Sequence, residues 1–150
     1  MKQYEPGEWE ALAPTLDAVL DAGPDELVAA MEASGFLRPG HRCDPQAVWD
    51  YVAGPYLPYR QATFAYTRQW TAATVGLLVD LGGDAGNVVR QLSLPAGFVI
   101  LNRVVWGVSA LLGKLEASGP WRGILDEYRL GGPPATPLGE AEAAWRAARQ

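Results

Sequence analysis

Several residue types are scarce in this chain, and each scarcity removes a class of function. Among 150 residues there is one cysteine, Cys43, and one histidine, His41. A single cysteine cannot close an internal disulfide, so we expect a reducing, cytoplasmic setting. One cysteine and one histidine cannot supply the three or four ligands of a zinc site. They lie two residues apart in a predicted loop. A catalytic dyad normally comes from residues distant in sequence and held by a third group, so we interpret these two as ordinary surface residues.

Positive charge is scarce as well. Twelve Lys and Arg residues oppose 17 Asp and Glu residues, for a net charge of -5. A nucleic-acid partner is therefore not expected. In the most apolar segment the longest uncharged window covers residues 91–102, and Arg103 follows it directly. A transmembrane helix needs about 20 apolar residues, so no membrane span is predicted, and the N-terminus lacks the apolar core of a signal peptide.

Two glycine-containing stretches fall short of nucleotide-binding motifs. GVSALLGKL, over 107–115, has five residues between its glycines where a P-loop has four, and leucine follows the lysine. DLGGDAGN, over 80–87, has no GxGxxG spacing. We interpret the first as the interior of a helix and the second as a connection between helices.

Apolar residues are abundant, at 49% of the chain against 19% charged residues, which indicates one globular domain with a real core. No strand-like alternation of useful length occurs, so the sequence predicts an all-α bundle of five to seven helices. The predicted helices cover 8–21, Pro24 to a cap at Gly35, Pro45 to a break at Gly54, 59–81, 95–117, Pro120 to Tyr128, and 140–150, with 84–92 a short helix or irregular. Residues 1–130 are expected to form the helical lobe, and 131–150 a Gly/Pro linker with a peripheral helix.

The helix predicted over 95–117 is apolar on nearly every face. Its first face repeats at spacings of three and four and comprises Phe98, Leu101, Val105, Val108, Leu112 and Leu115. A helix that is apolar all round is normally buried, so we expect this one to be central and the most buried. Arg103 lies within it, and a buried guanidinium must be paired. The candidate partners are Asp80, Asp84, Asp126 and Glu127; the alternative is contact with a ligand or another domain.

The stretch LPAGFVILNRVVWGVSALLGKLEASGPWRGILDEY, over 94–128, resembles the C-terminal end of the UbiB/AarF atypical kinase-like family. The matching positions are Leu94, Pro95, Arg103, Gly107, Leu115, Trp121 and Arg122. DELVAAMEASGFLRPG, DPQAVWDYVAGPY and TFAYTRQW, the last with Arg68 and Trp70, resemble the preceding part of that family, so the similarity spans about residues 8–130. It implies the helical lobe of a parent that binds ATP and Mg²⁺ and supports isoprenoid-quinone or other lipid metabolism.

The chain departs from that family in its catalytic parts. There is no KxGQ string, nucleotide-binding lysine, catalytic-loop Asp and Asn, or DFG-like aspartate. The resemblance therefore implies a non-catalytic C-terminal lobe, a fragment or truncated relative, with no catalytic, cofactor-binding or metal-ligating residue of its own. Its structural or interlobe candidates are Arg68, Trp70, Arg103, Trp106, Trp121 and Arg122.

Such a lobe would partner a kinase-like N-terminal lobe or a second copy of itself, with peripheral membrane or lipid association only through the parent. We expect a homodimer through an exposed apolar patch formed by Trp9, Leu12, Tyr56, Leu57 and Tyr59. The alternative is a free-standing helical binding module for an apolar ligand or a partner helix. An enzyme of unknown type is a third possibility, which no convergent set of polar residues supports.

Overall fold

The computed structural model describes residues 7–79, 83–94 and 96–149. Asp80, Pro95 and the side chains of Trp9 and Phe98 lie outside this description. In the described ranges the chain forms eight α-helices, one 3₁₀ helix and two short strands, so the all-α prediction is confirmed. The predicted number of five to seven helices is too low, because residues 83–91 form a regular helix and residues 54–60 form a separate 3₁₀ helix. The elements are α1 Glu8–Asp21, α2 Pro24–Ala33, α3 Pro45–Val52, η1 (the 3₁₀ helix) Gly54–Arg60, β1 Phe64–Ala65, α4 Arg68–Val79, α5 Gly83–Gln91, α6 Ala96–Lys114, β2 Ser118–Gly119, α7 Trp121–Leu130 and α8 Pro137–Ala147.

Local capping explains where α3 begins. The Asp44 carboxylate accepts a hydrogen bond from the backbone N–H of Ala47 at 3.0 Å, and Pro45 occupies the first turn, where its missing N–H costs nothing. After α2, Gly35 takes a positive φ of 72°, which glycine adopts without strain. The predicted cap at Gly35 and the predicted start at Pro45 are both confirmed.

The core lies among α1, α2, α3 and α5. Its largest fully buried members include Leu27 and Met31 of α2, Val19 of α1, Val48 of α3 and Val88 of α5. Two backbone hydrogen bonds join the segment after α2 to the end of α5. Arg38 donates its backbone N–H to the Gln91 carbonyl at 3.0 Å, and Ser93 donates its backbone N–H to the Phe36 carbonyl at 2.8 Å. The core is therefore built mainly by the first half of the chain.

The prediction that α6 is the most buried helix is wrong. Five large apolar residues along one side of it, the last of them directly after its C-terminal end, are between 45% and 75% exposed: Ile100, Val104, Val108, Leu111 and Leu115. We call these five residues the α6 stripe. The helix packs against α4 and η1 on its opposite side, and too few neighbouring elements surround it to cover the rest. The apolar residues on every face of α6 therefore do not mean that the helix is buried. They mean that α6 has more apolar surface than the rest of this chain covers.

The prediction of an exposed apolar patch near the N-terminal edge is also wrong. Leu12 is buried, Tyr56 and Leu57 are half-buried against the core, and Tyr59 is half-buried at the small cavity described below. Their aromatic and aliphatic side chains turn inward between α1, α3 and η1. The exposed apolar surface lies on α6 instead.

The helix predicted over 59–81 begins later than expected. Residues 54–60 form η1, Phe64 and Ala65 pair antiparallel with Gly119 and Ser118, and α4 starts at Arg68. The Thr67 hydroxyl accepts the backbone N–H of Trp70 at 3.0 Å, which satisfies a donor of the first turn of α4. The two-residue ladder is too short to show any alternation, so the sequence pattern did not reveal it.

Glycine permits the close approach of α4 and α6. A side-chain carbon built at Gly113 would lie 1.9 Å from Thr71 Oγ1 and 2.9 Å from Thr71 Cβ, both far inside van der Waals contact. At Gly107, on the same helix, the same carbon would meet nothing within 4 Å. The absence of a side chain is therefore required at Gly113 and not at Gly107.

Gly113→Ala should lower the free energy of unfolding by about 2 kcal/mol, because the helices must separate or repack around the added carbon. Gly107→Ala, the matched control, should leave stability unchanged or raise it by up to about 1 kcal/mol through better helix propensity. Urea denaturation of both variants and the wild type measures this. Equal effects of the two substitutions would contradict the proposed packing.

Candidate functional site

A cleft of about 480 Å³ lies between α6 and the first half of the chain. Its walls come from α1, α2, α3, η1, the link between α5 and α6, and the first half of α6. The lining residues are Thr15, Met31, Tyr51, Val52, Pro55, Tyr56, Leu92, Leu94, Val99, Asn102, Arg103 and Trp106. Most of this wall is aliphatic or aromatic, which is the usual character of a small-molecule site.

A second, smaller cavity of about 180 Å³ adjoins the cleft. Thr15, Val52 and Tyr56 line both spaces, so these three side chains stand at their junction. The remaining walls of the small cavity are apolar apart from the Tyr59 hydroxyl, and include Leu101 of α6. Together the two spaces extend from the exposed rim of the cleft into the gap between α1 and α6.

Few polar groups lie on these walls. The Tyr56 hydroxyl donates to Asn102 Oδ1 at 3.5 Å, a long contact that joins η1 to α6. The Thr15 hydroxyl is buried and has no hydrogen-bond partner among the described residues. Its usual helical acceptor, the Ala11 carbonyl, accepts Ser34 Oγ at 2.8 Å. A buried hydroxyl without a partner is unusual in a native protein. The Thr71 hydroxyl at the contact of α4 with α6 shares this property, so it does not by itself distinguish the junction as a site.

Arg103 is not buried and paired as predicted. It is exposed on α6 and, within the described residues, forms no salt bridge. Its predicted partner Asp80 lies outside the description, and Asp126 is paired with Arg122 instead. The reason is that α6 is covered on one side only, so the guanidinium stays at the rim of the cleft in water. Arg103 is the only charged residue in the cleft wall described here.

Trp106 follows Arg103 on α6 and forms part of the same wall. Its ring reaches within 4.0 Å of the place where a side-chain carbon would stand at Gly54, and that carbon would also press on Thr74 at 3.0 Å. The small residue at Gly54 therefore lets η1 approach Thr74 of α4 closely, while Trp106 of α6 is in ordinary van der Waals range at one end of the cleft. Two of the predicted candidates, Arg103 and Trp106, thus meet at this cleft.

Trp70 and Trp121 serve a different part of the structure. With Phe64 and Tyr66 they form a cluster of edge-to-face rings whose centroids lie 5.1 to 5.5 Å apart. The Trp121 indole N–H donates to the Phe64 carbonyl at 2.8 Å. Burial raises the pKa of the Tyr66 phenol, so that group stays neutral in the physiological range. This cluster holds β1, α4 and α7 together and is structural.

Arg122 joins α7 to the end of α1. Its guanidinium donates to the Asp21 carboxylate at 2.8 and 3.1 Å and to the Asp126 carboxylate at 2.9 and 3.1 Å. A second pair, Arg129 with Asp17, joins the same two helices, α7 and α1. Arg68, by contrast, contacts Glu116 at 3.7 Å with 75% of its side chain exposed. Neither arginine lines the cleft, so both of these candidates are placed outside the site.

His41 and Cys43 are arranged for structure rather than catalysis. His41 Nδ1 accepts the backbone N–H of Cys43 at 3.1 Å, and His41 Nε2 lies 2.9 Å from Glu32 Oε1. Burial raises the pKa of the Cys43 thiol, so the nucleophilic thiolate is disfavoured. The nitrogen that a dyad would direct at the sulfur is occupied by the backbone.

Sequence reasoning missed most of the cleft. Thr15, Val52 and Leu94 come from three separate elements, and no local pattern connects them. The only available signals were a polar residue next to Pro14 within the apolar face of α1, and a tyrosine in a proline-bounded segment, Tyr56. Each is common in structural positions, so neither could have indicated a site by itself.

Two findings limit the kinds of site in the part of the chain that the structure describes. No group of three or more His, Cys, Asp or Glu side chains there could hold a metal ion. None of the helices in the same ranges combines the length and the apolar character needed to cross a bilayer.

Comparisons with models of known protein families, with curated protein sequences and with solved structures found no match. The resemblance to the UbiB/AarF family therefore depends on the residue pattern alone and stays a prediction.

Replacing Arg122 should destabilise the protein in a pH-dependent way. The Arg122 guanidinium holds the pKa of Asp21 below its usual value, so the stabilisation is complete above about pH 4, the unfolded pKa, and is lost as the pH falls through the lower folded pKa. Because these groups are partly exposed, we expect Arg122→Gln to cost about 1 kcal/mol at pH 7 and less at pH 3.

Urea unfolding at the two pH values tests this, with Arg68→Gln as the matched control. The Arg68 pair is longer and more exposed, so its loss should change stability by less than about 0.5 kcal/mol. A loss for Arg122→Gln that is the same at pH 3 as at pH 7 would show that Asp21 is not its partner in solution.

Proposed function

We propose that this chain is a helical binding module whose cleft takes a small apolar ligand. The observation that carries the proposal is the open cleft of about 480 Å³ between α6 and the core, with its mainly aliphatic and aromatic wall. A volume of this size falls in the range of small-molecule sites, about 300–1,000 Å³. The adjoining cavity of about 180 Å³ supplies further apolar depth.

The energetics favour an apolar occupant. Tyr51, Pro55, Val99 and Trp106 present carbon surface to the cleft, and covering such surface yields about 25 cal/mol per Å². The polar groups on the wall are few, so an apolar ligand would displace water from the cleft without stranding many donors or acceptors. The side chains come from well-separated elements that the core holds in place, which lowers the cost of ordering the site on binding.

A larger side chain on the cleft wall should occupy the cleft and weaken the binding of an apolar ligand. Val99 and Val108 lie on the same helix and are each 45% exposed, but only Val99 lines the cleft. Val99→Trp should therefore reduce the binding of Nile red, an uncharged apolar dye, at least tenfold, because the indole occupies the space that the dye needs. Fluorescence titration of the dye with the wild type and both variants measures this effect.

Val108→Trp is the matched control and should bind the dye as the wild type does. Circular dichroism would establish that both variants keep their helix content. If the wild type does not bind the dye, or if the two variants lose binding equally, the cleft is not a ligand site and the proposal fails.

The second candidate function is the non-catalytic C-terminal lobe of a UbiB/AarF-like protein. The α6 stripe supports it, because a lobe that packs against a partner is expected to leave such a surface uncovered when alone. Its spacing along the helix, four, four, three and four residues, is typical of a seam between packed helices. In the absence of a catalytic lobe, a second copy of this chain would be the occupant. The homodimer was predicted from the family resemblance, but through the N-terminal patch and not through the α6 stripe.

Light scattering over a range of protein concentrations tests the second candidate. The wild type should self-associate, and Leu111→Glu in the centre of the stripe should be monomeric, because a carboxylate there cannot be buried without a partner. Leu138→Glu, at an exposed leucine of α8 away from the stripe, should associate like the wild type. A wild-type chain that stays monomeric at high micromolar concentration would argue against this candidate.

A further inference from the structure

The cleft carries one charge, and that charge has no partner in the part of the protein described. Arg103 of α6 is exposed at the rim of the cleft, and no Asp or Glu is among the described residues that line the cleft. Other described cations, among them Arg38, Arg90 and Lys114, also form no salt bridge within the described residues, but none of them lines the cleft. The same wall continues inward over apolar residues to the second cavity.

We propose that the cleft binds an amphipathic monocarboxylate, an unbranched aliphatic chain that ends in a carboxylate. This inference rests on the proposed function and deepens it by naming the ligand class. The carboxylate pairs with the Arg103 guanidinium, whose planar fork of N–H donors matches the two oxygens. The aliphatic chain lies along Val99 and Trp106 and extends toward Thr15 and Val52 at the junction with the small cavity.

The charge count favours a carboxylate over a phosphate. A phosphate monoester carries up to two negative charges and is usually held by several cations or by a helix N-terminus. Among the described residues a single guanidinium lies on the cleft wall, and the other polar side chains there are Thr15, Tyr51, Tyr56, Asn102 and the Trp106 indole N–H. One positive charge balances one negative charge at a rim that remains open to water.

The affinity should increase with the length of the ligand's aliphatic chain, because a longer chain buries more methylene groups against the cleft wall. Each buried methylene contributes about 0.8 kcal/mol, which is about fourfold in affinity. Decanoate should therefore bind more than tenfold more tightly than octanoate, provided that both extra methylenes are buried. Binding that does not increase with chain length would mean that the chain lies outside the cleft, and would overturn the proposal.

Isothermal titration of the full chain with decanoate and with decan-1-ol separates the head group from the chain. The wild type should prefer decanoate by about tenfold, the range expected for a charge-assisted hydrogen bond at a partly hydrated rim. Arg103→Gln should remove this preference and leave the affinity for decan-1-ol unchanged. Arg103→Lys should restore only part of it, because an ammonium keeps the charge without the fork.

Lys114→Gln is the matched control, since Lys114 is an exposed cation of the same helix that does not line the cleft. It should leave both affinities unchanged. If Lys114→Gln weakens decanoate binding as much as Arg103→Gln does, the attraction is unspecific and the proposal fails. Decyl phosphate that binds more tightly than decanoate would also overturn it.

The inference and the proposed function fail in different ways. Equal affinities of the wild type for decanoate and decan-1-ol would overturn the carboxylate assignment and leave the apolar site intact. Binding of neither compound would overturn both. Because Arg103 is exposed and outside the core, its variants should retain the wild-type circular dichroism, and loss of that signal would show that Arg103 has a structural role instead.

Discussion

The position of α6, and with it the cleft, depends on the contact between α4 and α6. Gly113 leaves no side chain opposite Thr71, so the two helices approach to a distance that even one methyl group would prevent. Because α6 is a continuous helix from Ala96 to Lys114, this contact also sets the position of its first half. The cleft is the space that remains between that half and the core. The placement of Arg103, about three turns before Gly113, thus depends on a glycine that touches no ligand.

Local signals predicted the parts of the fold that are decided locally. The Asp44–Pro45 start of α3 involves groups a few residues apart, so the sequence contains all that is needed to read it. The segment before α4 is different. It leaves the helical conformation because Phe64 and Ala65 pair with residues more than 50 positions later and because Tyr66 is buried among three other aromatic rings. Partners so distant along the chain have no trace in a local pattern.

The candidate site was predictable only in part, for a related reason. The apolar character of α6 is visible in its sequence, but its burial depends on how many other elements surround it. The expectation that Arg103 is buried and paired followed from the expectation that its helix is buried, so the two failed together. Arg103 and Trp106 do meet at the cleft, whereas Trp70, Trp121 and Arg122 hold elements together elsewhere. The remaining walls come from elements that only the tertiary fold brings close.

The uncovered apolar surface of α6 has two sides that differ in shape and charge. The side facing the core is concave and carries Arg103 at its rim, which suits a small molecule with a charged end. The α6 stripe lines neither of the two spaces, contains no charge of its own and suits a second protein surface. Covering either side removes apolar surface from water and would stabilise α6 by mass action. The two cases are separable, because stabilisation by a ligand follows the ligand concentration, whereas stabilisation by a second copy follows the concentration of the protein itself.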